Sequence, residues 1–193
     1  MASAAKLFPF TLLVWFTLAL AVGLTGVFKQ ASAPVVALTV WTLTAIVLLS
    51  WWKIPTVNRW ATRVDLSWLI ALHLTRFVGI YFLFLCRNGS LPCAFAKPAG
   101  IGDIAIAIGA TLLIFGDVAN RGGRTIVLVW NTLGLLDIVV VVFTALPVGL
   151  TDWPGMAPLR TPPLMLLPTF LVPLIIASHI LIFIRLRIVK LST

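Results

Sequence analysis

Residues 65–86 read DLSWLIALHLTRFVGIYFLFLC: twenty-two positions, mostly apolar, with His73 and Arg76 in the middle. A helix rises 1.5 Å per residue, so about 20 apolar residues cross the hydrocarbon of a bilayer. The stretch therefore reads as a transmembrane helix that carries two ionisable side chains at depth. A charge placed mid-bilayer costs about 2.5–3.5 kcal/mol on insertion scales. Residues that costly face a protein interior and mark a site more often than they face lipid.

Five further stretches of similar character flank this one. The expected spans are 7–27, 33–52, 65–86, 100–118, 125–150 and 161–184. The fifth is long enough to tilt, or else it ends before Pro147. Connections are short and carry turn formers: Lys29-Gln30-Ala31-Ser32, Lys53-Ile54-Pro55, Asn88-Gly89-Ser90, Asn120-Arg121-Gly122-Gly123 and Trp153-Pro154-Gly155. The reading is all-α: one polytopic transmembrane helix bundle over residues 1–193, with six spans.

Composition agrees. The 193 residues are 61% hydrophobic and 10% charged, and mean hydropathy is +1.14. Soluble domains run near 25% charged. The net charge of +9 would suggest nucleic acid in a soluble protein. Here the basic residues lie in short loops between apolar runs, so the lipid bilayer is the expected partner and nucleic acid is not. With the N-terminus in the cytoplasm, nine basic residues fall inside: Lys6, Lys53, Arg59, Arg63, Arg121, Arg124, Arg185, Arg187 and Lys190. Four fall outside: Lys29, Arg87, Lys97 and Arg160. The positive-inside rule then puts both termini in the cytoplasm. Trp51, Trp52, Trp60, Trp68 and Trp153 lie near the expected interfaces, where an aromatic belt belongs. A cleaved leader is the rival for the first span, with Lys6 before the apolar run and Ala31-Ser32-Ala33 after it. That run is longer than the usual h-region of about 7–15 residues, and Pro34 would follow the cut, so a retained span is expected.

No internal repeat is evident, so an inverted-repeat transporter is not indicated by symmetry. Gly102, Gly109 and Gly116 form a small-residue stripe expected to admit a neighbour's backbone. Pro168 and Pro173 each free a carbonyl four residues back, on Leu164 and Thr169, and these must be satisfied or line a cavity.

Counted from the cytoplasmic boundaries, His73, His179 and Asn131 lie roughly 9–12 Å deep. Arg76 and Asp137 fall near the midplane and Asp103 in the outer third. His73 and Arg76 are three apart, as are Gly134 and Asp137, so each pair shares a helix face. The expected pairing is Arg76 with Asp137. The candidate polar pocket or proton relay is thus His73, Arg76, Asp103, Asn131, Asp137 and His179.

Several chemistries fit parts of this set. His73 and His179 could ligate a haem from two helices, with Arg76 on a propionate. No HExxH or paired-Cys motif supports a metal site, and Arg76 would repel a dication. Ser178 neighbours His179 and so points to another helix face; with no G-x-S-x-G, serine hydrolysis is not expected. No phosphate loop or dinucleotide fingerprint occurs. Cys86 and Cys93 bracket a small loop on the outer, oxidising side, where a disulfide and two free thiols are both open. Asn88-Gly89-Ser90 matches the glycosylation sequon but hugs the membrane.

The segments 73–79, 91–103, 130–137 and 168–179 resemble small multi-pass bacterial inner-membrane proteins to which no activity is assigned. The resemblance covers the last four spans and implies a bacterial plasma-membrane location, not a reaction. Three functions remain in view. The first is a transporter or permease-like protein for a small solute or proton. The second is a haem- or quinone-linked redox protein, and the third a structural subunit, alone or in an oligomer, whose buried ion pair fixes packing. Whether the protein is an enzyme is left open by the residues.

Overall fold

The computed structural model describes residues 2–118, 121 and 123–191, with side chains over 9–187. The turn residues Asn120 and Gly122 and the side chains of Lys6 and Lys190 lie outside this set. The described residues are helical and include no strand. In chain order the α-helices are α1 (Ala2–Leu24), α2 (Ala33–Lys53), α3 (Pro55–Arg63), α4 (Leu66–Ala71), α5 (Val78–Arg87), α6 (Cys93–Phe115), α7 (Arg124–Thr151) and α8 (Val172–Leu191). A 3-10 segment, Leu72–Phe77, joins α4 to α5, and a π turn, Leu167–Leu171, leads into α8.

Five helical stretches are long and apolar enough to cross a membrane: Ala33–Lys53, Leu66–Arg87, Cys93–Phe115, Arg124–Thr151 and Leu167–Arg187. Large apolar side chains stand outward along them, Leu112 at 67% and Phe115 at 87% exposure. Water would reject such faces, whereas lipid tails accept them. The protein is an integral membrane protein. The apolar part of α1, Pro9–Leu24, is shorter.

Helix ends follow local chemistry. Asp65 caps α4 by accepting the Ser67 N–H at 2.8 Å. That backbone hydrogen bond, to the ionised carboxylate, holds the Asp65 carboxyl below its ordinary range. Gly89 turns the chain after α5 with φ of 69°, a conformation that side-chain-bearing residues avoid. Trp52 and Trp68 are 66% and 72% exposed, at the end of α2 and in the first turn of α4. Helix α3 lies where the sequence suggested only a connection. Pro55 starts it, where a missing N–H is harmless, and its polar Asn58, Arg59 and Arg63 gave no apolar run to read.

The chain divides into two compact units, Met1–Arg63 with Ala145–Ala177, and Val64–Thr144 with Ser178–Thr193. In the first unit, Pro173 cannot donate to the carbonyl of Thr169. That carbonyl instead accepts the Trp15 indole N–H at 3.0 Å. The Leu164 carbonyl, freed by Pro168, accepts the Leu167 N–H at 2.9 Å. Both freed acceptors are thus satisfied within the protein, as a lipid environment requires. Arg160, buried in the same unit, donates to the carbonyls of Lys29 and Trp153 at 2.5 and 2.7 Å and lies over the Trp153 ring.

The second unit holds the polar set. Its run Leu66–Arg87 buries Ile70, His73, Arg76, Gly79, Phe82 and Leu85, every third residue. In a 3-10 segment, with three residues per turn, such positions eclipse and form a straight stripe. His73 and Arg76 therefore point the same way, one above the other. Helix α5 then crosses α6 at two glycines. A Cβ added to Gly100 would lie 2.8 Å from the Gly79 carbonyl oxygen, so the backbones themselves are in contact.

Candidate polar site in the second unit

Arg76 is 1% exposed and each of its three guanidinium nitrogens has its own acceptor. Nε donates to Asp103 Oδ1 at 2.6 Å, Nη1 to the Gly134 carbonyl at 3.1 Å, and Nη2 to Asp137 Oδ2. The 3-10 segment supplies the cation, α6 one carboxylate, and α7 the other carboxylate and the carbonyl. Charge-assisted bonds of this kind are the strong ones, and the planar fork fixes their directions. The Asp103 side chain is 6% exposed and that of Asp137 is 23%.

The sequence placed Asp103 apart from Arg76 and Asp137, in the outer third. The structure instead makes it a direct partner of Arg76. The cause is the start of α6: it begins at Cys93, not Gly100, and continues through Pro98. Asp103 therefore sits about 15 Å along its helix rather than near the end. A second correction concerns the glycine stripe. Gly102 and Gly109 admit side chains of α7, not a backbone. The space beside Gly102 holds the Asp137 carboxylate, and a Cβ on Gly109 would lie 2.6 Å from the Trp130 indole. Gly116 caps α6 and faces its own turn.

The histidines form an adjoining layer. Both are fully buried, with ring centroids 4.1 Å apart. Asn131 donates from Nδ2 to the His179 carbonyl at 3.0 Å and places Oδ1 2.8 Å from His179 Nδ1. Ser178 Oγ lies 3.1 Å from His73 Nε2. Trp130 packs edge-on against His73 at 5.0 Å and donates its indole N–H to the Ile106 carbonyl at 3.0 Å. Gly134 makes room for the His179 ring: a Cβ there would lie 2.5 Å from its Cε1 and 2.9 Å from its Nε2. His73 Nδ1 and His179 Nε2 are buried without a hydrogen-bond partner.

Residues 33–187, which include every residue of this cluster, match the family model described as Domain of unknown function (DUF8737). The chain belongs to this family. No curated protein and no solved structure matches it. The DUF8737 match brings no reaction with it, so the chemistry must come from the geometry.

That geometry bears on each chemistry weighed from the sequence. Rings 4.1 Å apart at their centroids leave no room for a porphyrin plane between His73 and His179, so the two cannot ligate one haem from opposite faces as they stand. Among the described residues no group of three or more His, Cys, Asp or Glu is placed to hold a metal. Ser178 does reach His73, through a helix face the sequence reading had turned away. Yet His73 Nδ1 has no carboxylate to orient it, so a serine–histidine–acid relay is not assembled. Cys86 and Cys93 are joined in a disulfide, Cα–Cα 4.9 Å, that closes the turn between α5 and α6.

Trp130 and the Gly134 carbonyl were not picked out from the sequence, and Ser178 was weighed there only as a nucleophile and set aside. Trp130 and Ser178 each precede a residue of the expected polar set, Asn131 and His179. Neighbours on a helix are about 100° apart, so both reach one cluster only when the helix lies deep enough to bury a wide arc. Asn131, His179 and Ser178 are all 5% exposed or less.

Proposed function

We propose that this DUF8737 protein is permease-like and moves a proton or small solute across a membrane through the cluster of Arg76, Asp103, Asp137, His73 and His179. The carrying observation is the ratio of charges. One buried guanidinium serves two carboxylates. With both acids ionised and both imidazoles neutral, the cluster carries one net negative charge. An uncompensated charge inside a bilayer is costly, so the cluster is balanced by taking up one proton or one small cation. An ion pair that only fixed helix register would need one acid, not two.

The same reading adds α1 to the five longer spans, giving six crossings. It sets both termini in the cytoplasm of a bacterial inner membrane, on the nine-to-four distribution of basic residues. The native disulfide tests the orientation without engineering. In intact cells, a membrane-impermeant phosphine followed by an impermeant maleimide should label Cys86 and Cys93. Labelling that appears only after lysis would reverse the topology.

Transport is tested in proteoliposomes that enclose a pH-sensitive dye. Asp137→Asn keeps a hydrogen-bond acceptor for Arg76 but brings the cluster to neutrality without a proton. Proton flux driven by a pH step should fall to that of empty liposomes, while thermal unfolding in detergent stays close to wild type. Full flux in this variant would remove the proton-carrying role. A large loss of stability with flux retained in the surviving fraction would favour the structural subunit.

A further inference from the structure

His179 is held at both ends by one side chain. The Asn131 amide nitrogen donates to the His179 backbone carbonyl, and the amide oxygen meets ring Nδ1. The amide cannot be turned over. Its oxygen would then face a carbonyl oxygen, and two acceptors would meet in a buried place. With the amide fixed, Oδ1 can only accept, so Nδ1 must carry the hydrogen. In the neutral ring, Nε2 then bears the lone pair. That atom is buried without a partner and lies against Gly134, whose carbonyl binds Arg76.

We propose that Asn131 is a positioning residue that holds His179 as the Nδ1–H tautomer and so makes its Nε2 lone pair a proton acceptor of the Arg76–Asp103–Asp137 cluster. The inference rests on the proton-linked reading of this site. A tautomer set by the partner of the opposite ring nitrogen is the usual way a protein aims an imidazole. The charged and titratable groups facing the ring are His73, whose centroid is 4.1 Å away, and Arg76, bound to the Gly134 carbonyl beside Nε2; both belong to the 3-10 segment. Asp103 on α6 and Asp137 on α7 join through Arg76, and Ser178 precedes the ring on α8 as an uncharged neighbour. The cluster carries one negative charge in excess, so a proton held at Nε2 or handed to a carboxylate brings the sum to zero. Proton exchange there breaks one N–H or O–H bond and forms another, with no other reactant.

The chain has 2 histidines, which makes the test direct. Protein labelled with 15N-histidine in nanodiscs gives two imidazole spin systems, assigned by His73→Gln. For His179 in its neutral form, Nδ1 should show the protonated, pyrrole-like shift and Nε2 the bare, pyridine-like one. Asn131→Leu should lose this preference, with Nε2–H appearing, and lower proton flux about 10–100-fold. Asn131→Asp, in its protonated form, donates its O–H to the His179 carbonyl and accepts from Nδ1 with the other oxygen, and should restore the tautomer. A wild-type His179 protonated at Nε2 and bare at Nδ1 overturns the proposal, and so does an unchanged tautomer in Asn131→Leu. If Asn131→Leu does not fold, the wild-type spectrum and Asn131→Asp still decide. Wild-type protein that moves no protons sinks the proton-linked reading, but the tautomer then still decides whether Asn131 sets the ring.

Discussion

Arg76→Leu should destabilise the protein by about 3–5 kcal/mol, the usual consequence of removing one member of a buried ion pair. The substitution leaves Asp103 and Asp137 facing each other with no cation between them, and it strips the Gly134 carbonyl of its side-chain donor. None of the three acceptors gains anything from leucine. The loss should depend on pH. Above the titration of the carboxylates the variant holds two unpaired negative charges, so the deficit against wild type is largest. As pH falls and the carboxylates are protonated, those charges vanish and the deficit shrinks. The measurement is thermal unfolding in detergent across a pH series. Replacing all three groups together, as Arg76→Leu with Asp103→Leu and Asp137→Leu, should recover most of the stability, because apolar substitutes for a whole buried cluster are often neutral. Proton flux should not recover with it. A single Arg76→Leu variant as stable as wild type would mean that the guanidinium is not what keeps the two acids buried.

How much of this was readable in the chain can be judged residue by residue. The apolar runs and their length made the helical membrane class legible, since hydropathy over about 20 residues depends little on tertiary structure. Arg76 with Asp137 was legible for the same reason: opposite charges inside spans are forced to find each other. Asp103 was placed in the right set and at the wrong depth. Lys97 and Pro98 looked like the flank of a span, yet Pro98 sits in only the second turn of α6, where it costs a single hydrogen bond. The 3-10 segment was not foreseen, because an apolar run that is buried or lipid-facing on every side shows no strong period to distinguish three residues per turn from 3.6. The role of Gly102 and Gly109 was half legible. Small residues announce a close approach, but not whether a backbone or a side chain makes it.

The glycines that do admit a backbone carry the last expectation. Gly79→Ala should cost about 1–3 kcal/mol, as overpacking of a close interface does, and should lower proton flux through Asp103. The added methyl would collide with the Gly100 carbonyl oxygen and would lie 3.1 Å from its carbon and 3.0 Å from Asp103 Cβ. Two of these three atoms are backbone, so no rotamer change relieves the overlap. The helices must move apart, and α6 takes Asp103 with it. The 2.6 Å bond between Asp103 and Arg76 is the first to lengthen. Ile80→Ala, on the adjacent and 57% exposed position of the same helix, serves as the control and should leave stability within about 0.5 kcal/mol. The pair of variants separates two ideas of the site. If Gly79→Ala loses stability and flux while Ile80→Ala loses neither, the cluster depends on how closely α5 crosses α6. If Gly79→Ala behaves like its control, the crossing is looser than the structure has it, and Asp103 reaches Arg76 without needing the two glycines.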